Sequence, residues 1–232
     1  MTAGKAEQLV LDLGQRPALG AADFIISASN AAAVAAIDSY PRWRDPVLAL
    51  VGPEGAGKSH LAHVWQLKSN ALIVPAREIG DAVIAEHAAR RAIVIEDIDQ
   101  ELRDESVVFH LINQVKDLGG HVLITARIPP GAWAIAMPDL RSRARALPVI
   151  PIGEPDEALL RAVLLKLLDD RQLVATPAAV AHLARHLDRS MAKVLRAVAA
   201  IDRRVWQAKQ AVTRDLVREV LAEVDGAAGE AD

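Results

Sequence analysis

The chain has 232 residues, enough for one large domain or for a medium-sized one with a small appendage. Its hydrophobic fraction is 52%, its aromatic fraction 3% and its formal net charge -3, so it can build a sizeable core. It offers neither a surface of stacking platforms for single-stranded nucleic acid nor a whole-protein basic footprint for duplex DNA. Cysteine is absent, which excludes disulfides, thiolate metal sites and a thiol nucleophile. There is no charged-then-apolar leader and no apolar run near the ~20 residues that span a bilayer. The expectation is a soluble, cytoplasmic protein without a membrane partner.

Residues 1–19 lack helical periodicity. Within them, Gln8-Leu9-Val10-Leu11-Asp12-Leu13 alternates so that Leu9, Leu11 and Leu13 share one side of an extended peptide. Those leucines can enter a pocket on a partner while Gln8 bonds at its rim. An edge strand of the main sheet, or disorder, accounts for the pattern equally well. Phe24-Ile25-Ile26 precedes a helix over 31–37 with Ser29 or Asn30 as its N-cap. Ile25 and Ile26 can pack over a base or staple the helix start, and spacing alone favours the staple. A loop with two prolines then covers 38–46.

Val47-Leu48-Ala49-Leu50-Val51 reads as a strand buried on both faces, and Gly52-Pro53-Glu54-Gly55-Ala56-Gly57-Lys58-Ser59 follows at once. This octet fits G-x-x-x-x-G-K-[ST] at every defined position, between a strand and a helix expected over 60–68, His60 opening it. The spacing has a chemical reason. Glycines let the backbone wrap close to phosphate oxygens with its N–H groups turned inward. The next helix adds unsatisfied N–H donors and a positive dipole end. Lys58 reaches β- and γ-phosphates, and the Ser59 hydroxyl joins a Mg²⁺ shell. The sequence therefore predicts a nucleotide site.

Continuous apolar runs at 71–74, 92–95 and 121–125 predict further strands, with helices over 77–90 and Glu105–Leu118 between them, the second ended by Gly119-Gly120. A Pro-limited edge strand is expected over 147–152. Alternating strands and helices over 20–152 make an α/β domain with five strands. The pattern changes at Gly153. Helices open at Asp156-Glu157, Thr176-Pro177, Ser190 and Thr213, each with an apolar stripe, giving a small helical domain over 153–226 and an acidic tail over 227–232.

Glu96-Asp97 ends a buried strand, where a phosphate-loop NTPase needs one carboxylate in the Mg²⁺ shell and its neighbour on the attacking water. Glu96 takes the first role here and Asp97 the second. Each differs by about one methylene from the more usual Asp-Glu order, and misplacement of about 1 Å can cost ~10²-fold in rate. Arg141, Arg143 and Arg145 alternate just before the last strand, either to stabilise charge on a phosphoryl group or as a solvated basic loop. Arg189 lies at the start of the third appended helix, from where it can fold back over a γ-phosphate.

Taken in order, Gly-Lys-Ser-His-Leu at 57–61, Ile-Val-Ile-Glu-Asp-Ile at 93–98, Leu-Ile-Thr with Pro-Pro at 123–130, Pro-Asp-Leu-Arg-Ser-Arg at 138–143 and Leu-Asp-Arg at 187–189 resemble the AAA+ ATPases of the DnaA branch. The likeness spans nearly the whole chain and extends to the shortened regulatory Hda group of that branch. It implies a parallel sheet ordered 5-1-4-3-2 with a helical lid from near Gly153, and an ADP or ATP ligand with Mg²⁺. It further implies Ile25 and Ile26 at the adenine, Arg143 as an arginine finger and Arg189 as the second sensor. Residues 8–13 resemble a motif that binds the β sliding clamp of DNA polymerase III. In that group the protein docks on the DNA-loaded clamp and stimulates ATP hydrolysis by DnaA.

Three departures shape the expectation. Thr125-Ala126-Arg127 lacks the Asp expected after the strand, and the chain holds neither a helicase-interaction domain nor a C-terminal DNA reader. With the acidic charge, these point to a partner-directed regulator without sequence-specific DNA binding, able to form a homodimer, rather than a fast stand-alone ATPase. A DnaC-type helicase loader is the alternative; the scarcity of aromatics and the clamp-like tail count against it.

Overall fold

The computed structural model describes residues 25–187, 191–208 and 211–229. Gln8, Leu9, Leu11, Leu13 and Arg189 lie outside the described residues.

Strands β1 (Val47–Val51), β2 (Leu72–Pro75), β3 (Ala92–Glu96), β4 (His121–Ala126) and β5 (Val149–Pro151) form one sheet, ordered β2-β3-β4-β1-β5. Every pairing is parallel, and Val51 lies level with Ala126 while Ile95 lies level with Ile124. The expected order is observed. The apolar runs are continuous because both faces are covered, and alternation assigns each residue to a side. Val47, Ala49, Ile93, Ile95, Val122 and Ile124 join one core with α3 (Asp81–Arg90), α4 (Glu105–Leu118) and α5 (Pro138–Arg145). Leu48, Leu50, Val94 and Leu123 join a second core with α1 (Ala31–Asp38) and α2 (Lys58–Ser69).

Three segments differ from the sequence expectation. Helix α2 begins at Lys58 rather than His60, because Gly57 enters it with φ 97° as a left-handed N-cap. Residues Ala76–Glu78 form a short 3-10 turn, and α3 starts only at Asp81, after Gly80. The arginine-bearing stretch before β5 is helix α5 rather than a loop. Pro138 occupies a first-turn position, where its missing N–H is harmless, and Leu140 and Ala144 anchor one face in the core. The 38–46 loop is likewise more than a connector. Tyr40 and Trp43 pack on Trp65 and on His121 at the opening of β4, the end of the sheet opposite the glycine-rich octet.

Beyond Ile152 the chain is helical. Helices α6 (Glu157–Asp170), α7 (Pro177–His186), α8 (Met191–Ala208) and α9 (Arg214–Gly229) enclose a core of their own, including Leu164, Leu183, Val194, Val198, Ile201, Val217 and Val220. Asp156, Thr176 and Thr213 accept bonds from the Leu159, Ala179 and Leu216 amides, as their cap positions predict. A parallel bridge between Ala175 and Val212 adds a contact with no local sequence signal. No helix among the described residues is long and apolar enough to cross a membrane.

Candidate functional site

The octet over 52–59 lies at the carboxyl edge of the sheet, between β1 and the first turn of α2. Two glycines there have backbones that other residues resist, Gly55 at φ 73° and Gly57 at φ 97°. A side chain at Gly55 would meet more than strain, since a Cβ would lie 2.4 Å from the Ala192 backbone nitrogen at the start of α8. The loop is therefore packed under the helical region. Gly52 is equally confined, its would-be Cβ 2.5 Å from the Ile152 carbonyl oxygen.

Lys58 is buried, and its ammonium donates to the Gly52 and Pro53 carbonyls at 2.8 and 2.9 Å. Among the described residues it makes no ion pair. Burial pulls its pKa below the ordinary lysine value, opposed by the charges of Asp97, Asp99 and Glu54 and reinforced by Arg127. A cation held by carbonyls and surrounded by near carboxylates is suited to an incoming phosphate. Ser59 and His60 share this first turn, where an α-helix leaves N–H groups without partners inside it.

The acidic pair sits two strands away in the sheet. Ile93 and Ile95 face the α3–α5 core, so alternation turns Glu96 toward the α2 side, and its Oε1 is buried without a hydrogen-bond partner. Asp97 leaves the strand with φ 53°, a left-handed conformation that Asp tolerates better than most residues. Its amide donates to the buried Thr125 Oγ1 at 3.0 Å, and the Ile98 amide to the Thr125 carbonyl at 3.1 Å. Asp99, which the sequence did not single out, accepts from the Arg127 and Ile128 amides at 2.9 and 3.1 Å. The acidic turn and the loop after β4 thus hold each other in place.

The orphaned Glu96 oxygen and the Ser59 hydroxyl fit a hard cation. No group of three or more His, Cys, Asp or Glu among the described residues is placed to hold a metal by itself. A Mg²⁺ ion here would rest on Ser59, Glu96, water and phosphate oxygens, the pattern usual for nucleotide-bound magnesium.

On the opposite flank, Asn30 is the N-cap residue of α1, but its side chain turns backwards. It accepts from the Ser27 amide at 2.9 Å and donates to the Ile25 carbonyl at 2.9 Å. The Gly153 amide donates to the Ser29 carbonyl at 2.8 Å, tying this turn to the junction between sheet and helical region. Ile25 is half-buried and Ile26 exposed.

The three arginines of α5 separate by helical phase. Arg141 and Arg145 are exposed, whereas half-buried Arg143 lies over the Phe109 ring of α4, 4.9 Å from its centroid. Glu105, four residues before Phe109, accepts from the Ala136 and Met137 amides at 2.7 and 2.6 Å and so fixes the entry into α5. A glutamate in a first helical turn gave no sequence signal of this bracket, which depends on a contact with another element.

Comparison with solved structures gives the same architecture. Domain III of the Thermotoga maritima replication initiation protein DnaA superposes with a TM-score of 0.76 at 17% identity, over 90% of this chain and 97% of that one. AMPPCP-bound DnaA from Aquifex aeolicus gives 0.63 at 15% identity, over 77% of this chain and 63% of the other. The Thermotoga maritima RuvB Holliday junction branch migration motor gives 0.61 at 18% identity, over 84% of this chain and 66% of that one. No protein-family model matches the chain, and comparison with curated proteins gives no match. The fold is that of an AAA+ phosphate-loop NTPase core followed by a helical region.

Proposed function

We propose that the protein is an adenine-nucleotide-bound regulator of DNA replication initiation that docks on the DNA-loaded sliding clamp and stimulates ATP hydrolysis by DnaA. The observation that carries the nucleotide half of this reading is the Lys58 ammonium. It is buried at the N-terminus of α2, held by two carbonyls and near the carboxylate turn, on the fold of DnaA domain III. ADP or ATP binds with its phosphates on residues 52–60, its Mg²⁺ on Ser59 and Glu96, and its base on Ile25 and Ile26. Arg189 reaches over from the helical lid, which spans 153–226 beside a nucleotide domain over 20–152.

The regulatory half rests on the tail and on α5. Gln8, Leu9, Leu11 and Leu13 insert into the clamp. Arg143 is presented toward the nucleotide of a bound DnaA, with Asp97 as the carboxylate for water in its own site. Purified DnaA–ATP, DNA-loaded clamp and this protein are mixed, and ADP production is followed with each component omitted in turn. Stimulation that requires both clamp and protein supports the reading. Leu9→Ala with Leu11→Ala abolishes clamp binding while sparing nucleotide binding, and Arg143→Ala keeps both but loses stimulation. An unaltered rate of ADP production in the complete mixture overturns the regulatory role.

A further inference from the structure

Arg127 has no ligand role in the site described above, yet the structure places it beside the phosphate loop. The Gly52 amide donates to the Ala126 carbonyl at 3.1 Å, so Arg127 leaves β4 level with the start of that loop. Because β4 lies between β1 and β3, Arg127 emerges between the loop and the Glu96-Asp97 turn. The Ile25–Ile26 turn is on the other flank, tied through Ser29 to Gly153 beyond β5. A nucleotide with its base on that flank and its phosphates on Lys58 directs its terminal phosphate toward Arg127.

The arginine is also anchored in a manner suited to a ligand. Its amide is held by Asp99 at 2.9 Å, which fixes the origin of the side chain without using its charge. The guanidinium meets Glu54 of the phosphate loop, Nη1 to Oε2 at 3.4 Å, with both side chains about half exposed. Exposed pairs of this kind contribute little, at most about 1 kcal/mol, so a phosphate oxygen can displace the carboxylate easily. Arg127 and Glu54 are both among the charges that act on Lys58, which places the pair within electrostatic reach of the phosphate-binding ammonium.

We propose that Arg127 is a ligand for the terminal phosphate of a bound nucleoside triphosphate, held by Glu54 until a phosphate oxygen replaces that carboxylate. The proposal rests on the nucleotide-binding reading of residues 52–59. It makes the site selective: a triphosphate gains the guanidinium and a diphosphate leaves it on Glu54. Glu54 is then a competitor built into the loop, which lowers triphosphate affinity by the strength of the pair that must be broken.

The test is calorimetric titration of the full chain, as wild type, Arg127→Ala and Glu54→Gln, with Mg-ADP and with Mg-AMPPCP. Arg127→Ala is expected to weaken AMPPCP binding roughly ten- to hundredfold, the range for a lost hydrogen bond to a charged group. Its ADP affinity stays within about threefold, and Glu54→Gln shifts the preference toward AMPPCP. Thermal unfolding of each variant confirms that the fold persists. Equal weakening of both ligands in Arg127→Ala, or weakening of neither, overturns the proposal. A wild type that binds neither ligand overturns the phosphate-loop reading and this proposal together, which separates the two failures.

Discussion

Replacing Thr125 with valine keeps the shape of a fully buried side chain and removes one oxygen, the acceptor for the Asp97 amide at 3.0 Å. An N–H left without its acceptor costs about 1–3 kcal/mol. The added methyl returns up to about 0.8 kcal/mol of burial. A left-handed Asp at φ 53° persists only while its surroundings enforce it, so relaxation of the turn accompanies the loss. A net destabilisation of about 1–2 kcal/mol lowers Tm by roughly 2–8 °C in a chain of this size. Thermal unfolding followed by circular dichroism measures that shift, and calorimetry measures Mg-nucleotide affinity on the same samples. Thr125→Ser retains the oxygen, so it should keep the affinity that Thr125→Val loses, whatever its methyl costs in Tm. A valine variant with wild-type Tm and affinity, or a serine variant as impaired in binding as valine, refutes the role given to this hydroxyl.

Three further outcomes are expected. Gly55→Val places a β-branched residue at φ 73° against the Ala192 backbone, costing about 1–2 kcal/mol in backbone strain alone; nucleotide titration should show at least a tenfold loss, and unchanged affinity would mean that α8 does not rest on the loop in solution. Glu105→Ala removes the acceptor of the Ala136 and Met137 amides, so hydrogen exchange at those two positions should accelerate while the amides of β1 stay protected. Burial among Tyr40 and Trp43 holds the His121 pKa below its ordinary value, partly offset by its bond to the Pro41 carbonyl. The unfolded chain therefore takes up this proton first. The corresponding stability is present above about pH 6.5 and is lost as pH falls through the lower folded value. Tm should fall between pH 7 and 5 with a smaller slope in His121→Gln, and identical slopes would refute the assignment.

The sheet was legible because strands buried on both faces leave unbroken apolar runs, and the octet because phosphate chemistry restricts both residue type and spacing. Helix α5 was not, since only Leu140 and Ala144 anchor its buried face and the three arginines dominate its composition. Pro138 in a first-turn position was the available clue. Arg127, Asp99 and Thr125 carry no local pattern. Their roles come from the adjacency of β3 and β4, which a linear reading does not reveal, and the missing Asp after β4 drew attention to an absence rather than to the arginine present. Asn30 occupied its expected cap position but bonded backwards, because Ile25 and Ser27 offered partners that composition alone does not disclose.

The single bond from the Gly153 amide to the Ser29 carbonyl joins the turn proposed to hold a base to the point where the sheet gives way to the helical region. With the base seated on that turn, its occupancy and the angle of the lid are thermodynamically linked. Any free energy that base binding contributes to lid closure, lid closure returns to base affinity by the same amount. A partner that grips only the helical region would then alter nucleotide residence without touching the nucleotide, and nucleotide exchange would report on that partner from the far side of the junction.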